Sequence, residues 1–193
     1  MQNSSRMPPN LPSQKSEEAK RTTIILEKNE RDFIESLIKE GKEPGIKPLI
    51  SKMLEMYKSM MVYDWKFPGE YYCGISRIAL VNVELFNILT QQIPREKWHT
   101  VGENMGNALK VSIQSTAAIE ANEPSNWERV FERLKVQGFG DIYLKDKFLL
   151  LKNPFINECE IWKGILEGLL SIKLETKNSV PPLVFEVKER KNP

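Results

Sequence analysis

One histidine, two cysteines and a close glycine pair are the residues of this 193-residue chain first weighed for chemistry, the glycines through their backbone, and none sits in a complete motif. Nucleophilic catalysis needs a base beside the nucleophile and a third group to orient that base. His99 is the sole histidine, and no recognisable spacing sets an acid next to it, so no enzymatic activity and no cofactor are expected. Cys73 and Cys159 lie far apart without CxxC spacing, which argues against a disulfide scaffold or a zinc cluster and reads both as buried thiols. A metal site of His99 with the two cysteines would muster the minimum ligand set, and a structural histidine is the plainer reading. Gly138 and Gly140 in QGFGD precede no GK[ST], so they read as a tight turn and not as a phosphate loop. Trp98, Trp127 and Trp162 fall on predicted apolar helix faces, where packing is the default role.

Function must then come from arrangement, and the bulk composition narrows where to look. With 40% hydrophobic and 28% charged residues the chain can fold around a core, and no run approaches the roughly 18 apolar residues that a membrane helix needs. The first twenty residues, rich in Ser, Pro, Gln and Asn, lack the apolar centre of a signal peptide. A cytoplasmic protein without membrane partners is expected. The net charge of +2 is a weak electrostatic footprint for a duplex binder. Between Arg21 and Tyr63 eight Lys or Arg face seven Asp or Glu, so any DNA contact must depend on placement.

Residues 1–20 carry three prolines and no periodic apolar pattern, and read as a flexible tail whose Arg6, Lys15 and Lys20 could touch phosphates. Arg21 to Leu26, RTTIIL, is short and β-branched, with Thr22, Ile24 and Leu26 alternating against Arg21, Thr23 and Ile25, which predicts a strand. Asn29 followed by Asp32 predicts a capped helix bearing Phe33, Ile34, Leu37 and Ile38, ending at Gly41. Beyond a turn at Pro44 and Gly45, a second helix carries Ile46, Leu49, Ile50, Met53, Leu54, Tyr57, Met60 and Met61 at spacings of three and four. Roughly 40 residues of this kind leave a strand edge and apolar faces open, so they need a partner, most economically a second copy of the chain. Two such strands pairing antiparallel make a ribbon of a size that fits the major groove.

Through KRTTIIL, ERDFIESLIKEG and PGIKPLISKMLEMY, residues 21–60 resemble the ribbon-helix-helix superfamily of Arc-, MetJ- and CopG-like regulators, over about a fifth of the chain. The resemblance implies a homodimer that binds double-stranded DNA in a sequence-specific way and regulates transcription in a prokaryote. It assigns Arg21, Thr23 and Ile25 to the ribbon face that reads base edges, Arg21 by bidentate bonds to guanine and Thr23 at a thymine methyl or by a hydrogen bond. Ile25 departs from the polar third reader usual in the family and offers only apolar contact. Gly45, Ile46 and Lys47 match the helix N-terminus that the family anchors on a backbone phosphate. Pro48 suits a first helical turn but removes one donor.

After an aromatic, Pro- and Gly-containing stretch near residue 65, the sequence predicts a C-terminal α+β domain over 63–193, so that the whole chain reads as α+β with a dimerising domain over 21–62. Its expected elements are a strand over Tyr72–Leu80, a helix from Val83 to Ile93 capped by Asn82, and a long helix from Pro94 to about Glu120 in which Gly102 and Gly106 admit another helix closely. A helix opened by the Ser125–Glu128 box and ended at Gly138 follows, then a hairpin turning near Asp146, a helix from Asn157 to Leu174 and a last strand over Leu183–Glu189. Through GFGDIY, ILEGLL and the closing strand, this order resembles the 4-vinyl-reductase-type small-molecule-binding domains. The domain is therefore expected either to sense a small-molecule effector or to extend the dimer interface. Two alternatives stay open: an antitoxin-type interaction module, and an architectural DNA coater.

Overall fold

A computed structural model describes residues 23–66, 69–73 and 76–190. The fold is α+β, with helices and two small antiparallel sheets. The chain divides into two compact units at Pro48/Leu49.

In the first unit, helix α1 spans Lys28–Lys39. Its cap is Glu27, two residues ahead of the expected Asn29: the Glu30 carboxylate accepts from the Glu27 backbone N–H at 2.8 Å, so the reciprocal box is built from two glutamates. Gly41, at φ +71°, turns the chain after the helix as expected. Residues 23–26 form no strand. A strand needs a neighbour to take up its backbone hydrogen bonds, and among the described residues none pairs with 23–26; the first two residues of the expected strand lie outside the described ones.

Helix α2 spans Ile46–Ser59 and crosses the division between the units, with its first three residues in the first. A helical turn over Val62–Asp64 follows. The expected single strand over Tyr72–Leu80 is instead a pair, β1 (Tyr71–Cys73) and β2 (Ser76–Ile78), in which Tyr71 faces Ile78. Trp65 braces it, donating its indole N–H to the Tyr72 carbonyl at 2.8 Å and meeting the Tyr71 ring edge-on at 4.7 Å. Helix α3 (Val83–Gln91) is capped by Asn82, whose side chain accepts from the Glu84 and Leu85 N–H groups.

A short turn over Arg95–Lys97 leads from Pro94 into α4 (Trp98–Ala117), and another over Pro124–Asn126 leads into α5 (Trp127–Val136). The expected Ser125–Glu128 box is not formed, because Ser125 lies inside that preceding turn. Strands β3 (Asp141–Lys145) and β4 (Phe148–Lys152) make the hairpin, with Asp146 at φ +54° in its turn. Helix α6 ends four residues earlier than expected: it spans Cys159–Leu170, Ser171 turns the chain at φ +55°, and β5 (Ile172–Asn178) begins at once. With β6 (Leu183–Arg190) the four strands order as β3-β4-β6-β5, every neighbour antiparallel.

The core of the second unit lies between this sheet and α6. Trp162, Ile165, Leu166 and Leu169 of α6 are fully buried with Leu149, Leu151 and Phe185 of the sheet. Helix α6 is buried along most of its surface, Glu160 being exposed, and α4 packs along it, as the sheet does. The cover is unusually close. A Cβ on Gly102 would lie 2.9 Å from the Ile161 carbonyl carbon, and one on Gly164 would lie 2.7 Å from the Glu103 nitrogen. Gly106 faces Ile165 and Leu169, and Gly168 faces Glu103 and Asn107, so the two helices advance side by side in the same direction.

Candidate functional sites

Of the six residues assigned to DNA, Arg21 lies outside the described residues. Thr23 is exposed and Ile25 is 93% exposed, so both present their side chains to solvent in the single chain. Gly45, Ile46 and Lys47 stand together where α2 begins, and that first turn holds no acidic residue. The first four N–H groups of a helix have no intrahelical partner. Pro48 lacks one of them, so three donors with the positive end of the helix dipole remain beside the Lys47 ammonium. Ile24, Leu26, Ile34 and Ile46 border a shallow cavity of about 300 Å³, rimmed by the Arg31–Glu35 ion pair at 2.8 Å. The first unit thus contains an unfilled apolar depression beside the segment expected to form the ribbon.

The second unit holds a groove of about 450 Å³ along one stripe of α4. Met105, Ala108, Leu109 and Ser112 recur at spacings of three, one and three, which places them on a single helix face. Met60, just past α2, and Gln137 and Phe139, past α5, also line it, with a second wall of Ser76, Ile78 and Leu80 from β2 and the residues after it. The sequence places Met105, Ala108 and Leu109 on the inward face of α4; Met105 and Leu109 are partly buried against the core and also line the groove, whereas Ala108 is exposed. What joins the two walls is a hydroxyl contact, Ser76 Oγ to Ser112 Oγ at 3.2 Å.

Two polar clusters are structural by their connections. Glu167, 2% exposed on α6, accepts from the Leu174 backbone N–H at 2.8 Å and lies 3.0 Å from His99 Nε2 and 3.5 Å from Lys173 Nζ. It fastens the turn from α6 into β5 and ties α4 to both. His99 therefore does have an acidic partner, which local sequence could not disclose because the two are 68 positions apart. On β6, Glu186 receives the ammonium groups of Lys147, Lys177 and Lys188, and neighbouring Glu175 shares the last two. These hydrogen bonds hold both carboxyls below the usual carboxylate range, Glu186 far below it. Every donor there already meets a carboxylate.

Cys159 is buried, and desolvation pushes its thiol above the ordinary value. Among the described residues no three side chains suited to a metal ion come together, and no helix is long and apolar enough to cross a membrane. Comparison of the chain with models of known families, with curated proteins and with solved structures returned no match.

Proposed function

We propose that this protein is a homodimeric, sequence-specific DNA-binding regulator of transcription whose N-terminal residues complete a ribbon-helix-helix arrangement only with a second copy. The observation that carries the reading is the set of apolar side chains left bare ahead of and along the first two helices: Ile24 at 60%, Ile25 at 93%, Phe33 at 63% and Ile46 at 52% exposure. So small a unit has too little interior to fold on those terms alone, and pairing of residues 21–26 with the same segment of a partner would satisfy their backbone groups and cover the neighbouring depression. In the proposed complex Arg21 and Thr23 read base edges, Ile25 touches thymine methyls, and the α2 N-terminus with Gly45, Ile46 and Lys47 takes a phosphate. Balanced local charge means that affinity rests on few phosphate contacts, so its salt dependence is modest for a DNA binder.

The test is selection of bound fragments from a random duplex pool at near-physiological salt, with the whole chain and with the R21A/T23A variant. An enriched palindromic or tandem motif that the variant fails to enrich supports the reading; enrichment unchanged in the variant removes the ribbon from the mechanism. A chain that sediments as a monomer at micromolar concentration also refutes it.

A protein-interaction module is the second reading, favoured by α3. Its Leu85, Ile88 and Leu89 recur at helical spacing and stay exposed while Phe86 packs inward. Absence of any enriched DNA motif together with a stable protein complex would favour this reading.

A further inference from the structure

We infer that the groove along α4 is a binding site for an uncharged, largely apolar small molecule carrying a hydrogen-bonding group. Its volume of about 450 Å³ falls within the roughly 300–1,000 Å³ of small-molecule sites. A specific protein interface, by contrast, covers about 800 Å² on each partner. No charged side chain lines it. An ionised ligand would shed water there without gaining a countercharge, so the site selects for neutral molecules. Met60 and Met105 add adaptable thioether walls that follow the outline of an irregular apolar ligand.

The polar side chains that line the groove are Ser76, Ser112 and Gln137, and the serine pair offers hydroxyls to a ligand's polar group. A hydroxyl donates one hydrogen bond and accepts two. In the Ser76–Ser112 contact only one of the two hydrogens is used, which leaves a donor and acceptor lone pairs for a ligand alcohol, ketone or phenol. A two-stranded pair such as β1–β2 is marginal by itself. A molecule bonded to this hydroxyl pair and packed on Leu80 and Leu109 joins β2 to α4 by contacts that the empty groove lacks. Met60 stands one residue beyond α2, the helix whose first turn carries Ile46 and Lys47, so occupancy bears on the end of that helix. This regulatory consequence rests on the DNA-binding reading; the binding site itself does not.

The probe is N-phenyl-1-naphthylamine, an uncharged aromatic amine whose fluorescence rises in apolar surroundings, titrated onto the whole chain. The expected result is saturation at one probe per chain. Ala108→Trp, at a solvent-facing position of α4 where the new ring fills the groove, weakens binding at least tenfold with the thermal midpoint retained. Ser112→Phe does the same from the polar end and stands in if the first variant fails to fold. L85S/L89S on α3 leaves binding unchanged, and 1-octanol displaces the probe at least tenfold better than octanoate. A titration that never saturates, affinity unchanged in both groove variants, or binding lost in L85S/L89S would overturn the site. With probe bound, a shift of threefold or more in affinity for a selected DNA fragment supports the regulatory half, and no shift refutes that half alone. Probe binding intact in a chain that selects no DNA refutes the DNA-binding reading and leaves the site standing.

Discussion

Replacing Gly102 by alanine sets two effects of opposite sign against each other. Alanine is the better helix former by about 0.8–1.0 kcal/mol, so if α4 were an isolated helix G102A would stabilise it. In the folded protein the added methyl group meets the backbone of Ile161 at 2.9 Å from its carbonyl carbon and nearer its oxygen, and Gly164 Cα at 3.1 Å. Backbone cannot rotate aside as a side-chain tip can, so α4 must lift from α6 by something on the order of 1 Å. Dispersion contacts over the shared face weaken steeply at such a gap. Overpacking of a closely fitted interior typically costs about 1–3 kcal/mol and at times more, and a rigid backbone obstacle belongs at the upper end. Subtracting the propensity gain leaves a net loss of about 2 kcal/mol. For a unit of this size that is a fall of roughly 4–8 °C in thermal midpoint. The assay is urea and thermal unfolding followed by circular dichroism, with G45A as control, because a Cβ there meets only Pro48 Cδ at 3.8 Å. Stability of G102A equal to or above that of the parent would refute the close-packing argument, whatever happened in the control.

Two further outcomes follow from the polar clusters. The carboxyl of Glu186 is held down by its three lysines, so its contribution is complete above about pH 4.5, its ordinary value, and fades as pH falls toward the depressed folded value. The stability difference between the parent and E186Q, measured by melting at a series of pH values, should be largest near neutrality and shrink below pH 4.5; a difference that grows in acid refutes the assignment. Glu167→Ala strands the buried Leu174 N–H and should cost about 1–3 kcal/mol, whereas Glu167→Gln keeps an acceptor and recovers part of that. Equal loss in both variants would mean that His99 and Lys173, not the backbone bond, dominate.

Elements with a local chemical mark were legible from the residues. Asn82 announces α3 because its side chain is the cap, and the Asp146 hairpin follows from the apolar runs on either side of a polar turn. Gly102 and Gly106 were legible as a close-approach face, and Gly164 and Gly168 carry the same four-residue spacing on α6. The end of α6 was not, because Ile172 and Leu174 continue its apolar run and the turn is made by Ser171, a residue with no particular liking for positive φ. The alternation Ile172, Leu174, Thr176 was the available signal for β5. For the candidate groove, the stripe on α4 gave the helix face but not what lies opposite, since Ser76 and Ser112 are 36 positions apart. In the N-terminal residues the alternation of Arg21 to Leu26 predicts a strand, yet residues 23–26 form none.

The four glycines between α4 and α6 also set how the second unit comes apart. Each costs its own helix about 0.8–1.0 kcal/mol against alanine, so together the two helices carry some 3–4 kcal/mol of intrinsic reluctance that only their mutual contact offsets. Neither helix is then a persistent fragment once the other leaves. Amide hydrogens in the middle of α4 and α6, far apart in sequence, should exchange with solvent at one common free energy, so that the pair opens as a single cooperative unit.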